Sequence, residues 1–217
     1  MAPFNDMLPK SRTEPLLKLH HAPSSRAGRI VWLLEELGLP YELNSMPFSM
    51  DALKSPEHRE RHPLGRVPVL EDGDVVLYES GAIVEYIIAR HTDGKLKPAV
   101  DSAHFPAYLQ WFNYCEGMVM PPINTIVVHT RILPEHRRDP VVLAQAQRLA
   151  GKALEPVNHD LATKEFLADA FSGADIMLGH ALYMCRKLGL FDDNMAALHA
   201  YVERIEARPA FEKAINT

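Results

Sequence analysis

Gly65-Arg-Val-Pro-Val-Leu-Glu-Asp-Gly-Asp-Val-Val-Leu-Tyr-Glu-Ser-Gly-Ala-Ile83 decides the architecture of the first half of the chain. Pro68–Glu71 and Val75–Tyr78 are apolar runs on either side of Asp72-Gly73. An Asp-Gly pair in that setting predicts a tight hairpin, because the turn that matches strand twist needs positive φ at both central residues. Proline cannot donate to a sheet ladder, which places Pro68 at the first position of its strand. A cis Val67–Pro68 bond would reverse the chain there and leave the Val67 N–H and C=O open to an extended peptide. Helical spacing then begins at Ser80 and runs to Arg90 through Ile83, Val84, Ile87 and Ile88.

Upstream of the hairpin, strands and helices alternate. Leu17, Leu19 and His21 alternate with Leu16, Lys18 and His20, a short strand pattern. Ala27–Gly38 carries Ile30, Val31, Leu33, Leu34 and Leu37 on one helical face, with Gly38 as the stop. Tyr41–Asn44 reads as a second strand, and Met50–His62 as an irregular, mobile helical segment. The order β-α-β-α-β-β-α contains one pair that needs a helical crossover and one that needs only a turn, so a small mixed sheet covered by helices is expected. Residues 14–94 form this first domain, preceded by a flexible polar extension over 1–13 and followed by a linker over 95–101.

Beyond the linker the strand signal ends. Ser102–Met120 has helical offsets through Tyr108, Leu109, Phe112, Cys115 and Val119, stopped by Pro121-Pro122. Asp139-Pro140 is a helix start, with a capping carboxylate and proline at the first helical position, and Pro156 predicts a bend downstream. Ser172-Gly-Ala-Asp175 is a capping box with Asp in place of the usual Glu. A last helix over about 194–208 precedes Pro209. Residues 102–217 therefore read as an all-helical second domain, and the fold class as α+β.

The bulk numbers narrow the function. In 217 residues with 47% apolar and 24% charged content, a net charge of −5 and no basic stripe give no footprint for nucleic acid. No stretch reaches the roughly 20 apolar residues of a membrane span, so a soluble cytoplasmic protein is expected. Cys115 and Cys185, far apart and without a CxxC, read as buried free thiols. The eleven histidines contain no HExxH, and the adjacent His20 and His21 point to opposite strand faces, so no metal is expected.

Three segments carry chemistry. Ser24 and Ser25 fall where the first helix begins, beneath free N–H groups and the positive end of the helix dipole. Read alone, either serine is equally a simple helix cap. Val67 offers its main chain next to Pro68. Glu79-Ser80 opens the third helix with a hydroxyl, unpaired N–H groups and an adjacent carboxylate, which together suit the two charges of an α-amino acid head group. An N-cap beside a solvated glutamate accounts for that pair just as well.

Taken together, Pro23–Leu43, Gly65–Leu70 and Tyr78–Ile83 closely resemble the N-terminal domain of the glutathione transferases, and Tyr108–Phe112, Glu116–Pro122 and Phe171–Met177 resemble bacterial and fungal members of that superfamily. The resemblance implies a thioredoxin-like domain that binds glutathione and a helical domain that holds a small hydrophobic electrophile, in a cytoplasmic homodimer. It implies that Val67, ahead of a cis Pro68, pairs with the cysteinyl backbone, that Glu79 and Ser80 hold the γ-glutamyl head, and that Arg66 stands near the glycyl carboxylate. Ser24 occupies the place of the thiol-activating hydroxyl, with Ser25 its rival because many relatives read Ser-Arg-Ser at this turn. Arg26 either adds positive potential near the sulfur, contacts the tripeptide's carboxylate, or is a solvated helix-start arginine. Tyr108, Tyr114 and Met118 are the candidate lining of the electrophile site, although such a stripe is more often core. The absence of a cysteine at the turn sets the chain apart from thiol-exchange members. Glutathione-dependent peroxide reduction, dehalogenation and non-catalytic ligand binding stay open as alternatives.

Serine is sufficient for the chemistry. A thiol of pKa about 8.5 is only a few per cent ionised at neutral pH, and lowering it by two units takes about 2.7 kcal/mol. A hydrogen bond to a charged acceptor contributes ~1.5–3 kcal/mol and the helix dipole ~0.3–1 kcal/mol. Serine donates; it is far too weak an acid to act as the base.

Overall fold

A computed structural model describes residues 17–217. The expected extension over 1–13 and the strand residue Leu16 lie outside the described residues. β1 (Leu17–His21), β2 (Tyr41–Ser45), β3 (Val69–Asp72) and β4 (Val75–Tyr78) form one sheet in the order β2-β1-β3-β4. β1 and β2 are parallel, joined across α1 (Gly28–Leu37); β3 runs antiparallel to both β1 and β4. The β3–β4 hairpin forms, but its turn falls one residue later than read: Asp72 pairs with Val75, so Gly73-Asp74 are the central residues, and of these only Gly73 is left-handed, φ +59°. α4 (Ser80–His91) completes the thioredoxin-like unit.

Between β2 and β3 the chain is more regular than expected. Ser49 caps α2 (Met50–Leu53) by accepting the Ala52 N–H, and Ser55 caps α3 (Pro56–Arg61) by accepting the His58 N–H. Two local caps and Pro56 at a first helical turn make two short helices out of a segment with little apolar periodicity.

The remainder of the chain is helical: α5 (Phe105–Tyr114), α6 (Met120–Val127), α7 (Pro140–Leu161), α8 (His180–Lys187), α9 (Ala196–Glu206) and α10 (Pro209–Ile215). Pro121-Pro122 does not stop the first of these. A π-helical turn over Cys115–Val119 leads from α5 straight into α6, which places both prolines in the opening turn of a new α segment. Their missing N–H groups cost little there. A second π turn, Val128–Ile132, extends the rod further. α10 was not anticipated, although Pro209 at its first turn is the same start signal that identified α7.

The capping box forms as read. Asp175 Oδ2 accepts the Ser172 N–H at 2.9 Å and the Ser172 hydroxyl at 3.0 Å, while Oδ1 accepts the Leu167 N–H at 3.1 Å and the Tyr201 hydroxyl at 2.8 Å. Burial raises the Asp175 carboxyl to about 6, against these four donors. The two halves share one continuous core: Trp32 of α1 packs edge-on against Phe211 of α10 at 4.7 Å, and Glu36 takes both arms of Arg208 at 2.6 and 2.8 Å. Cys115 and Cys185 are buried free thiols, pushed up to about 11 and about 12 by burial.

Candidate active site

A cleft of about 400 Å³ runs along the junction of the two halves, and the predicted residues from three separate segments converge on it. Ser24, Ser25 and Arg26 come from the turn ahead of α1, Arg66, Val67 and Pro68 from the entry to β3, and Glu79 and Ser80 from the start of α4. Parallel and antiparallel pairing to β1 brings these three connections to one end of the sheet. The Val67–Pro68 bond is cis.

Backbone geometry is specialised at several of these positions. Ser24 has φ +59° and Glu79 φ +73°, conformations that cost a side-chain-bearing residue on the order of 1–3 kcal/mol. Gly65, φ +52°, has no alternative: a Cβ there would fall 2.2 Å from the Leu53 carbonyl oxygen. Lys54 Nζ donates to the carbonyls of Leu64 and Gly65, and His58 Nε2 lies 2.8 Å from the Arg66 carbonyl, so α2 and α3 brace the Val67 loop. His58 and His62, four residues apart, are thereby committed to the loop: His62 Nδ1 accepts the Leu64 N–H. Among the described residues no group of three or more His, Cys, Asp or Glu could hold a metal ion.

The serines differ in environment. Ser24 is exposed. Ser25 is 9% exposed, and its Oγ accepts the Ala27 N–H at 3.2 Å, which orients the hydroxyl and leaves its proton free for an incoming acceptor. Ser80 is arranged in the same way. Its Oγ accepts from Arg29 Nη1 at 2.9 Å, so its own proton is available at the mouth of α4.

Arg29 is the functional residue that sequence reading passed over. It sits on α1 with its side chain fully buried, donating Nη1 to Ser80 and to Glu116, and Nη2 to Cys115 Sγ at 3.2 Å. Arg26 donates to the other oxygen of Glu116 at 2.8 Å and to Asn124 at 3.2 Å. One carboxylate on the first π turn thus holds two guanidinium groups, Arg29 of α1 and Arg26 of the turn ahead of it, tying the halves together across the cleft and leaving a positive excess beside the Ser24-Ser25 turn. A lone arginine amid an apolar helix face was the available signal.

The expected electrophile lining lies elsewhere. Tyr108 is fully buried, its hydroxyl bound to Glu85; Tyr114 donates to the Ala153 carbonyl at 3.1 Å; Met118 is 53% exposed and outside the cleft. The helical wall of the cleft comes instead from Met120, Ile123 and Val127 of α6, with Val128 and Ile132 of the π turn after it. A helix that continues past Pro121-Pro122 turns this later face toward the sheet.

Comparison with known proteins decides what such a cleft belongs to. Residues 14–89 match the model of the glutathione S-transferase N-terminal domain and residues 119–209 that of the C-terminal domain. Glutathione S-transferase 3 of Zea mays is 34% identical over 92% of this chain and 93% of its own. The chain belongs to the glutathione S-transferase family. Glutathione S-transferase 1 of Saccharomyces cerevisiae is 28% identical over 94% of this transferase and 90% of its own length. The theta class enzyme of Xanthomonas axonopodis pv. citri, solved with glutathione bound, superposes with a TM-score of 0.83 at 26% identity, covering 94% of this chain and 99% of that one.

Proposed function

We propose that this transferase binds glutathione in the cleft, ionises its thiol over the Ser24-Ser25 turn and conjugates it to small hydrophobic electrophiles. The observation that carries the reading is the convergence of a pre-oriented buried hydroxyl, a helix start and a positive excess on one point of the cleft. Ser25 is the donor to the thiolate, since its lone pair is already engaged by the Ala27 amide and its proton is not. Glu79 and Ser80 take the γ-glutamyl ammonium and carboxylate, Val67 the cysteinyl main chain, and Arg66 the glycyl carboxylate.

The ionisation is favourable by the sum of modest effects. The hydroxyl contributes about 1.5–3 kcal/mol, the α1 dipole about 0.3–1 kcal/mol, and the surplus charge of Arg26 and Arg29 over Glu116 acts in the same direction. Together they suffice for the two-unit shift that makes the thiolate the dominant form at neutral pH. The electrophile then meets the sulfur beside the Ser24-Ser25 turn; in a displacement the leaving group departs to solvent, and in an addition solvent supplies the proton that completes the adduct.

The protein acts as a cytoplasmic homodimer in this reading. Among the described residues no helix is long and apolar enough to cross a membrane, and the edge strand β4 exposes Val76 and Tyr78, which share one face of the sheet, at 49% and 42%, an apolar patch suited to burial. Conjugation of 1-chloro-2,4-dinitrobenzene, followed across pH, tests the proposal. Ser25→Ala is expected to lower kcat/KM by about 10- to 100-fold near neutral pH, the equivalent of the lost charged hydrogen bond. Turnover with hydroperoxides but with no aryl halide would favour the peroxidase alternative.

A further inference from the structure

A second cavity of about 300 Å³ opens on the far side of the Ser24-Ser25 turn. Ser24, Ser25 and Met184 line both it and the glutathione cleft, so the two spaces meet at the hydroxyl pair. Its lining is mixed, with an apolar side from Tyr183, Met184 and Leu188 at α8 and Ala214 and Ile215 of α10. Its floor is made by His21 and His180, both buried. Gly28 permits this: the His180 Nε2 lies only 3.2 Å from where a Cβ on residue 28 would stand.

The charges around the cavity are one-sided. Arg131, from the second π turn, and Lys187, at the end of α8, line it, and no carboxylate does. Neither makes an ion pair among the described residues; the Lys187 ammonium only rests 5.5 Å over the Tyr183 ring. Both are exposed, whereas the histidines lie deep. Burial keeps His21 and His180 neutral, and the positive charge of Arg29 and Arg26 further depresses His180. That same field favours an anion.

We infer that this cavity takes the second substrate, and that the preferred electrophile is an amphiphilic anion whose apolar body fills the space against Tyr183 and Leu188 while its carboxylate or sulfonate meets Arg131 and Lys187. The inference rests on the conjugating function proposed above and adds the substrate class to it. The geometry explains why the cations stand at the rim. An ionised group pushed to the floor would lose its hydration, whereas at the rim it keeps water and gains two unpaired cations. The reactive carbon of such a substrate lies at the inner end, next to Ser24 and Ser25.

The test compares 4-chloro-3,5-dinitrobenzoate with its uncharged carboxamide as electrophiles. Wild type is expected to favour the carboxylate in kcat/KM by roughly tenfold at low salt, the product of two screened charge contacts of about threefold each. Arg131→Gln with Lys187→Gln is expected to abolish that ratio, as is 0.5 M NaCl, where screening is nearly complete. Calorimetric binding of 3,5-dinitrobenzoate against 3,5-dinitrobenzamide reads the same preference without turnover. Equal kcat/KM values, or equal binding where neither compound reacts, would overturn the inference. Absence of conjugation with the binding preference intact would instead remove the transferase reading and leave the anion site standing.

Discussion

Glu116 should be worth more to this fold than its partial exposure suggests, and Glu116→Gln measures it. The side chain is 34% exposed, yet it is the carboxylate that faces Arg29, whose side chain is fully buried. Removing one partner of a buried pair costs about 3–5 kcal/mol, because the remaining charge is stranded. Here the cost is reduced: solvent reaches Glu116, glutamine still accepts one hydrogen bond, and Ser80 and Cys115 continue to receive the guanidinium. About 2 kcal/mol is the expected loss, which for a chain of this size lowers Tm by about 4–8 °C. Arg26→Gln is the control. Its side chain is 30% exposed and leaves the buried pair intact, so its cost should stay below about 1 kcal/mol. Urea unfolding of Glu116→Gln, Arg29→Met and the double variant completes the cycle, and the double variant should fall short of the summed losses by at least about 1 kcal/mol. A Glu116→Gln protein within about 0.5 kcal/mol of wild type, or strictly additive singles, would refute the idea that this pair ties the halves together.

Other outcomes follow from the same geometry. Ser80→Ala should raise the KM for glutathione by about tenfold with a smaller effect on kcat, since it removes a ligand contact of about 1–1.5 kcal/mol and not a contact to the reacting sulfur; steady-state kinetics at saturating electrophile checks this. Gly65→Ala should abolish glutathione binding or leave little folded protein, because its Cβ would meet the Leu53 carbonyl at 2.2 Å in a backbone conformation with φ +52°; affinity retention on immobilised glutathione with circular dichroism separates the two. His180, held near 3 by burial and by Arg29 and Arg26, stays neutral in the fold while the unfolded chain protonates near 6.5. Its contribution is therefore full above pH 6.5 and is lost as pH falls toward 3, about 2 kcal/mol between pH 7 and 5. His180→Asn should flatten the pH dependence of the urea midpoint by that amount.

Much of this is legible in the sequence. The hairpin around Asp72-Gly73, the proline ahead of β3 and the serine opening α4 are local signals, each fixed by what a backbone can do at one residue, and they carried the first half and three sides of its cleft. The helical half was harder to read. Pro121-Pro122 looks like a stop because sequence patterns assume α-helical hydrogen bonding throughout; the π turn over Cys115–Val119 changes the register so that both prolines fall where no donor is needed. That single misreading put Tyr108, Tyr114 and Met118 on the helical wall of the cleft, where Met120 and Ile123 stand. Arg29 was passed over for a different reason. Its partners Ser80 and Glu116 lie 51 and 87 residues away, and nothing within one helix reports such a pairing.

Titration of the bound thiol reaches the central claim most directly. With glutathione saturating the protein, thiolate absorbance in the ultraviolet should rise with an apparent pKa about two units below that of the free tripeptide, and Ser25→Ala should return it most of the way while Ser24→Ala moves it far less. A bound thiol that titrates where free glutathione does would contradict the account, whatever conjugation rates are observed.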